Sequence, residues 1–201
     1  GKRESFFLSV KKIARKVNLK LMQEVKITGE IQISSQISSE LKQKVKNISD
    51  FKESIEKLLG ENITELSEVF LGGGVILEAS DLHIEPEQKQ VKLRVRIDGV
   101  LQDVMFLDLK IYQSLLSRIK LLSGIKLNIT DRPQDGRFSF IFGDSPIEIR
   151  ASSLPAEYGE SIVLRILNPK TLMEIEALGL RKDLLEIFKK EIRKPNVMIL
   201  V

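Results

Sequence analysis

The sequence predicts an α+β fold: an antiparallel sheet with helix packed on one face, preceded by a small, mainly helical region. Three observations carry this. Val91-Lys92-Leu93-Arg94-Val95-Arg96-Ile97 alternates strictly, Asp98-Gly99 follows, and Val100-Leu101-Gln102-Asp103-Val104 returns; two short strands around an Asp-Gly pair are the strongest short-range hairpin signal. Further short strands are expected over residues 138–142, from 147 onward and over 162–167, separated by turns at Gly143-Asp144 and at residues 155–159. A single helical stretch lies among them, giving about six strands and one central helix in a mostly antiparallel order.

In chain order, residues 5–25 read as a basic amphipathic helix, with Phe6, Val10, Ile13, Val17, Leu21 and Val25 at three- and four-residue spacing and Lys11, Lys12, Arg15, Lys16 and Lys20 between them. Packing on protein suits it better than lying on a membrane, since it has one aromatic pair and the chain has no Trp. Residues 26–38 are a loop or a short strand. Ser39 is the expected N-cap of a helix carrying Leu41, Val45 and Ile48, and Ser49 or Asp50 that of a helix carrying Phe51, Ile55, Leu58 and Leu59, closed by Gly60. A domain boundary is placed there, with 1–60 as one region, 61–168 as the sheet domain and 169–201 as a further segment.

Residues 63–77 have helical spacing, but Gly72-Gly73-Gly74 interrupts them. Each glycine costs about 1 kcal/mol in a helix interior, so a break or kink is expected. A phosphate loop is a poor reading, because no Gly-Lys-Ser/Thr follows and no strand precedes. Residues 109–123 form the central helix, with Ile111, Leu115, Leu116, Ile119 and Leu122 inward, Arg118 and Lys120 near its end, and Gly124 stopping it. Residues 125–135 read as a polar loop. Beyond 168 the character changes: Leu184, Leu185, Phe188 and Ile192 mark a helix, Pro195 stops it, and residues 197–201 are an unbroken apolar run of the kind seen in buried parallel strands.

The 201 residues are 42% hydrophobic and 30% charged, as in a globular protein. No apolar run approaches the ~20 residues of a membrane span, and no signal peptide is seen, so a cytoplasmic location is expected. Zero cysteines exclude disulfides and thiolate metal sites. The net charge of +4 is uneven: residues 1–60 carry +6 and the remainder −2. A solvated helical face accounts for the basic part better than an acidic partner does.

The residues that carry chemistry are few. Asp81, His83 and Glu85 share one face of a strand by their period of two, which is compatible with a small metal site; a histidine hydrogen-bonded to Asp81 or to a neighbouring strand is the stronger reading, and no metal is assigned. One His, no Cys and no serine arrangement leave no nucleophilic triad. Phe138, Phe140 and Phe142 alternate like base-stacking residues, but a core face explains them better, so no nucleic acid is expected. The arginines remain: a planar guanidinium takes phosphate oxygens in bidentate fashion.

Three motifs in order, Ala79-Ser80-Asp81-Leu82-His83-Ile84-Glu85-Pro86, Arg96-Ile97-Asp98-Gly99 and Arg132-Pro133-Gln134-Asp135-Gly136-Arg137, resemble the N-terminal half of the type II secretion and type IV pilus assembly ATPases. The resemblance covers residues 63–201 and not 1–60. It implies a PAS-like sheet domain, followed in 169–201 by the first helix and strand of a RecA-like domain that breaks off just before its phosphate loop. It further implies a homo-hexameric motor using ATP and Mg²⁺, peripheral at the inner membrane, with residues 1–60 facing a platform or adaptor protein. Arginines of this domain would reach nucleotide held by the RecA-like domain of the same or a neighbouring subunit; the matching positions are Arg96, Arg118 and Arg137, supported by Asp81, His83, Glu85, Asp98, Gly99, Asp135 and Gly136. Lacking the phosphate loop, the chain alone would be inactive and bind no nucleotide tightly. The alternative is a stand-alone PAS-like sensor or protein-interaction module.

Overall fold

A computed structural model describes residues 29–60, 62–169, 174–196 and 198. The helix expected over 5–25 and, save Met198, the terminal apolar run lie outside these residues. In chain order the elements are β1 (Glu30–Gln32), α1 (Ser35–Lys44), α2 (Ile48–Glu56), α3 (Ile63–Ile76), β2 (Asp81–Pro86), β3 (Val91–Ile97), β4 (Val100–Leu107), α4 (Leu109–Leu122), β5 (Gln134–Phe142), β6 (Ser145–Ala156) and β7 (Gly159–Leu167). Together they form a first compact unit that ends at Leu167. The second unit holds a 3₁₀ turn (Ile175–Leu178) and α5 (Lys182–Glu191), on which Lys189 pairs with Glu176 at 2.5 Å.

Seven described strands make one sheet in the order β1-β5-β6-β7-β2-β3-β4. Every pairing is antiparallel except β1 with β5, where Ile31 lies opposite Phe140. The Asp98-Gly99 connection turns as expected, with φ of 50° and 79° at its two residues. Positive φ at both central positions matches the twist of the flanking strands.

Alternation gives the sheet two unlike faces. One face buries Leu82 and Ile84 of β2, Val91, Leu93 and Val95 of β3, Phe138 and Phe140 of β5, Ile147 and Ile149 of β6, and Ile162 and Leu164 of β7. These phenylalanines are core, which removes the stacking role weighed for them. Helices α1 to α4 supply the other side of the core through Leu41, Phe51, Ile55, Leu66, Phe70, Leu115 and Ile119. Phe51 and Phe70 stack with centroids 6.3 Å apart, a contact worth about 0.5–1.5 kcal/mol beyond burial.

Residues 30–32 take the short-strand alternative. Several other expectations are corrected. Ser34, not Ser39, caps α1: its Oγ accepts from the Ile37 amide. Asn47 caps α2 by accepting from the Asp50 amide. β1, α1 and α2, which all precede Gly60, share the sheet and core of the first unit. Helix α3 runs unbroken through Gly72-Gly73-Gly74. The glycines serve close approach rather than a break: a Cβ on Gly73 would lie 2.2 Å from the Phe51 ring, and one on Gly74 2.9 Å from Leu82. The loop before β5 is shorter than expected, because the strand starts at Gln134.

Lys120 is also placed differently. It is turned inward and is 1% exposed. Its Nζ lies 2.7 and 2.8 Å from the two carboxylate oxygens of Glu160, itself 5% exposed. A buried ammonium is tolerable only when paired and hydrogen-bonded, and this one is both.

Candidate functional site: a row of arginines on the open sheet face

The face turned away from the helices is polar. Cross-strand register places Arg137 of β5 opposite Arg150 of β6, Arg150 opposite Arg165 of β7, Arg165 opposite Asp81 of β2, and Asp81 opposite Arg96 of β3. Four arginines therefore lie on one line across five adjacent strands, which are about 4.8 Å apart. Like charges directly opposite each other are unfavourable, so the line needs carboxylates. Asp81, nearly sealed, supplies one: its Oδ1 accepts from Arg165 Nε at 3.0 Å, and its Oδ2 lies 3.3 Å from Arg96 Nε. Glu148 supplies the other, 4.0 Å from Arg137 and 3.7 Å from Arg150. Among the described residues, four cations stand against two anions along the row, a net positive charge.

The row borders an open hollow of about 690 Å³ lined by Asp81, Asp135, Arg137, Arg150, Ser152 and Arg165. Asp135 accepts from Ser152 Oγ at 2.6 Å. Gly136 permits the chain to press against the end of α4, since a Cβ there would lie 2.2 Å from the Ser123 carbonyl oxygen. The Arg137 amide donates to that same oxygen at 3.2 Å. Beside the row, Arg94 is held by Asp103 at 2.7 Å and Glu85 at 3.4 Å, and Lys92 by Glu87 at 3.1 Å. That hydrogen bond from Lys92, aided by one from Gln90, holds the Glu87 carboxyl below its usual range. The basic comb of β3 is thus matched by a carboxylate comb, and the charge excess gathers on β5, β6 and β7.

The motif residues divide accordingly. Arg96 and Arg137 stand in the row, with Arg96 Nη1 also donating to the Gly99 carbonyl and so tying the Asp98-Gly99 turn to it. Arg118 lies on α4, outside the row and the hollow's lining; its buried Nε has no hydrogen-bond partner among the described residues. His83 Nδ1 is 3.2 Å from Glu85 Oε1, a partner on its own strand rather than Asp81 or a neighbouring strand. No group of metal-binding side chains occurs among the described residues, and no described helix is long and apolar enough to cross a membrane.

Arg150 and Arg165, which lie outside the three motifs, are full members of the row. A signal for them exists. In a hairpin with a two-residue turn, residues equidistant from the turn are partners. Arg137 and Arg150 are equidistant from Gly143-Asp144, and Arg150 and Arg165 from Glu157-Tyr158. The turn expected over five residues, 155–159, hides the second pairing, because β6 runs on to Ala156 and β7 starts at Gly159.

Comparison with known proteins accords with the motifs. The chain is 37% identical over 140 residues to the type II secretion system protein E of Aeromonas hydrophila, covering 69% of this chain and 28% of that protein. It is 39% identical over 127 residues to the type IV pilus assembly ATPase PilB of Acinetobacter baylyi, covering 62% of this chain and 22% of that protein. The chain thus spans about a quarter of the length of these relatives. Among solved structures, the ATPase DotB of Legionella pneumophila matches 59% of this chain and 32% of its own, at 19% identity and a TM-score of 0.35. Residues 52–201 match the family model described as type II/IV secretion system protein, and with three quarters of its length inside that model the chain belongs to this family.

Proposed function

We propose that this chain is the N-terminal part of a motor ATPase that powers type II secretion or type IV pilus assembly, and that its open sheet face meets nucleotide phosphates held by an adjoining ATPase domain. The row Arg137-Arg150-Arg165-Asp81-Arg96 carries the reading. Guanidinium groups bind phosphate in a planar, bidentate geometry, and the row's excess positive charge is what a polyphosphate would neutralise. An arginine presented from a neighbouring domain or subunit is worth about 10³–10⁵ in phosphoryl-transfer rate. Arg118, near the end of α4, is a further candidate. ATP with Mg²⁺ would supply the driving reaction; this chain's share is to orient and neutralise phosphate, and movement of its sheet relative to the ATPase domain would couple hydrolysis to work. A homo-hexamer, contact of residues 1–60 with a platform or adaptor protein, and a cytoplasmic position at the inner membrane belong to the same proposal.

The test uses the full-length protein with its ATPase domain. Arg96→Ala and Arg137→Ala are expected to lower ATP turnover at least tenfold while far-UV dichroism stays unchanged and the melting temperature falls by no more than about 5 °C. Normal turnover in both variants would remove the role given to the row.

A further inference from the structure

The buried Lys120–Glu160 pair lies outside the row, yet its bonds lead to it. Besides Glu160, Lys120 Nζ donates to the carbonyls of Ile129 at 3.0 Å and Leu127 at 3.4 Å, both in the loop 125–133 that joins α4 to β5. Glu160 also accepts from Ser153 Oγ of β6 at 2.6 Å, while its backbone is bracketed by the Tyr112 hydroxyl, which donates to its carbonyl at 2.6 Å and accepts from its amide at 3.0 Å. Helix α4, strands β6 and β7 and the loop are thereby joined at one dry point. The loop has a second clasp in Gln134, whose side chain bonds the Lys126 amide and carbonyl and the Ile129 carbonyl. Three residues after Gln134 stands Arg137, with its amide on the Ser123 carbonyl at the end of α4.

We propose that Lys120 and Glu160 are positioning residues: they clasp the loop 125–133 to α4 and so hold the backbone of Arg137 at the end of the arginine row. The importance of that placement rests on the phosphate-facing reading of the row. A pair kept only for stability would be replaceable by neutral side chains of similar size at little cost, because a buried ion pair loses in desolvation much of what it gains in attraction. A positioning pair would not, because the two loop carbonyls lose their donor even when stability is restored.

The experiment is site-resolved amide hydrogen exchange on this chain, comparing wild type with the double variant Lys120→Met/Glu160→Gln, in which glutamine still accepts from Ser153. The expected result is a melting temperature within a few degrees of wild type, unchanged exchange in β2, β3 and β7, and exchange at least about tenfold faster at Ile125, Lys126 and Arg137. Unchanged exchange at those three amides, or acceleration spread evenly over the core strands, would overturn the proposal. Gln134→Ala, at a half-exposed position, decides the matter if the double variant does not fold. With Lys120 in place, Ile125 and Arg137 are expected to stay protected within about threefold; a tenfold loss would give the loop to the glutamine and overturn the role of the lysine. In parallel, the Nε–H signals of Arg137, Arg150 and Arg165 are followed during titration with inorganic pyrophosphate. Silence of all three in the wild type would count against the phosphate reading of the row, whereas the clasp is judged by exchange alone.

Discussion

Asp81 accepts a hydrogen bond from Arg165 at 3.0 Å while lying 3.3 Å from Arg96 on its other side. Strand β2 thus sets a single nearly buried carboxylate between two arginines of one cross-strand line. Its nearest other donor is Ser80 Oγ at 2.9 Å. Without its charge the β2–β3 and β2–β7 seams each bring an unneutralised arginine to the open face.

Asp81→Asn is therefore expected to cost about 2 kcal/mol, in line with the loss of charge-assisted hydrogen bonds. Urea denaturation of the variant checks it. A loss under about 0.5 kcal/mol would mean that solvent already screens these arginines.

Arg150 has the opposite balance. It stands between two arginines, with Glu148 3.7 Å away and half of its own side chain in water. Exposed pairs of this kind contribute about 0–1 kcal/mol, and like charges opposite each other cancel part of it. Arg150→Ala is expected to change stability by less than about 0.5 kcal/mol while, on the proposed phosphate-facing role of the row, lowering ATP turnover of the full-length protein. A strongly destabilised variant, measured by urea denaturation, would make the arginine a structural group instead.

Gly73→Ala sets helix propensity against packing. The substitution favours the helix by about 1 kcal/mol, but the new methyl meets the fully buried Phe51 ring at 2.2 Å. Overpacking costs about 1–3 kcal/mol, and a ring held against Phe70 has little room to yield. A net loss of about 1–2 kcal/mol is expected from thermal denaturation, and Phe51→Leu in the same background is expected to recover part of it.

Lys120→Met alone leaves the Glu160 carboxylate buried without its cation. Removing one partner of a buried pair costs about 3–5 kcal/mol, so the single variant is expected to unfold at much lower urea concentration than wild type. Adding Glu160→Gln is expected to restore most of that loss. Equal instability of single and double variants would show that the amine's bonds to the loop, rather than the charge pair, carry the stability.

Burial, reinforced by the nearby Glu160 charge, pushes the Tyr112 hydroxyl above its ordinary value of about 10, against the opposing pull of its backbone hydrogen bond. A folded-state value raised above the unfolded one means that the stabilisation is complete below about pH 10 and is lost as pH rises through the folded value. Wild type is therefore expected to lose stability with rising pH above about 10, and Tyr112→Phe to show a shallower decline there. At neutral pH the same substitution strips the Glu160 backbone of two bonds, at a cost of about 1–3 kcal/mol. Equal alkaline slopes in the two proteins would exclude Tyr112 as a source of that pH dependence.

The sequence by itself determined what depends on near neighbours along the chain. The alternation of Val91, Leu93 and Val95 with Lys92, Arg94 and Arg96, the Asp98-Gly99 turn, the core face of Phe138 and Phe140 and the inward stripe of α4 are all set by periods of two or 3.6 and by the φ that a turn requires. The three motifs contain Arg96 and Arg137, two of the four arginines of the row. What only the tertiary structure decided depends on groups brought together from far apart. Lys120 is buried because Glu160 reaches it from a strand forty residues later. Gly73 lies mid-helix because Phe51 of another helix needs the space. Arg150 and Arg165 join the row because the ends of β6 and β7 fix a register that puts four arginines on one line. A residue's local propensity is the same whether its side chain meets water or a partner; the free energy of burying a charge or a methyl group exists only once that partner is in place.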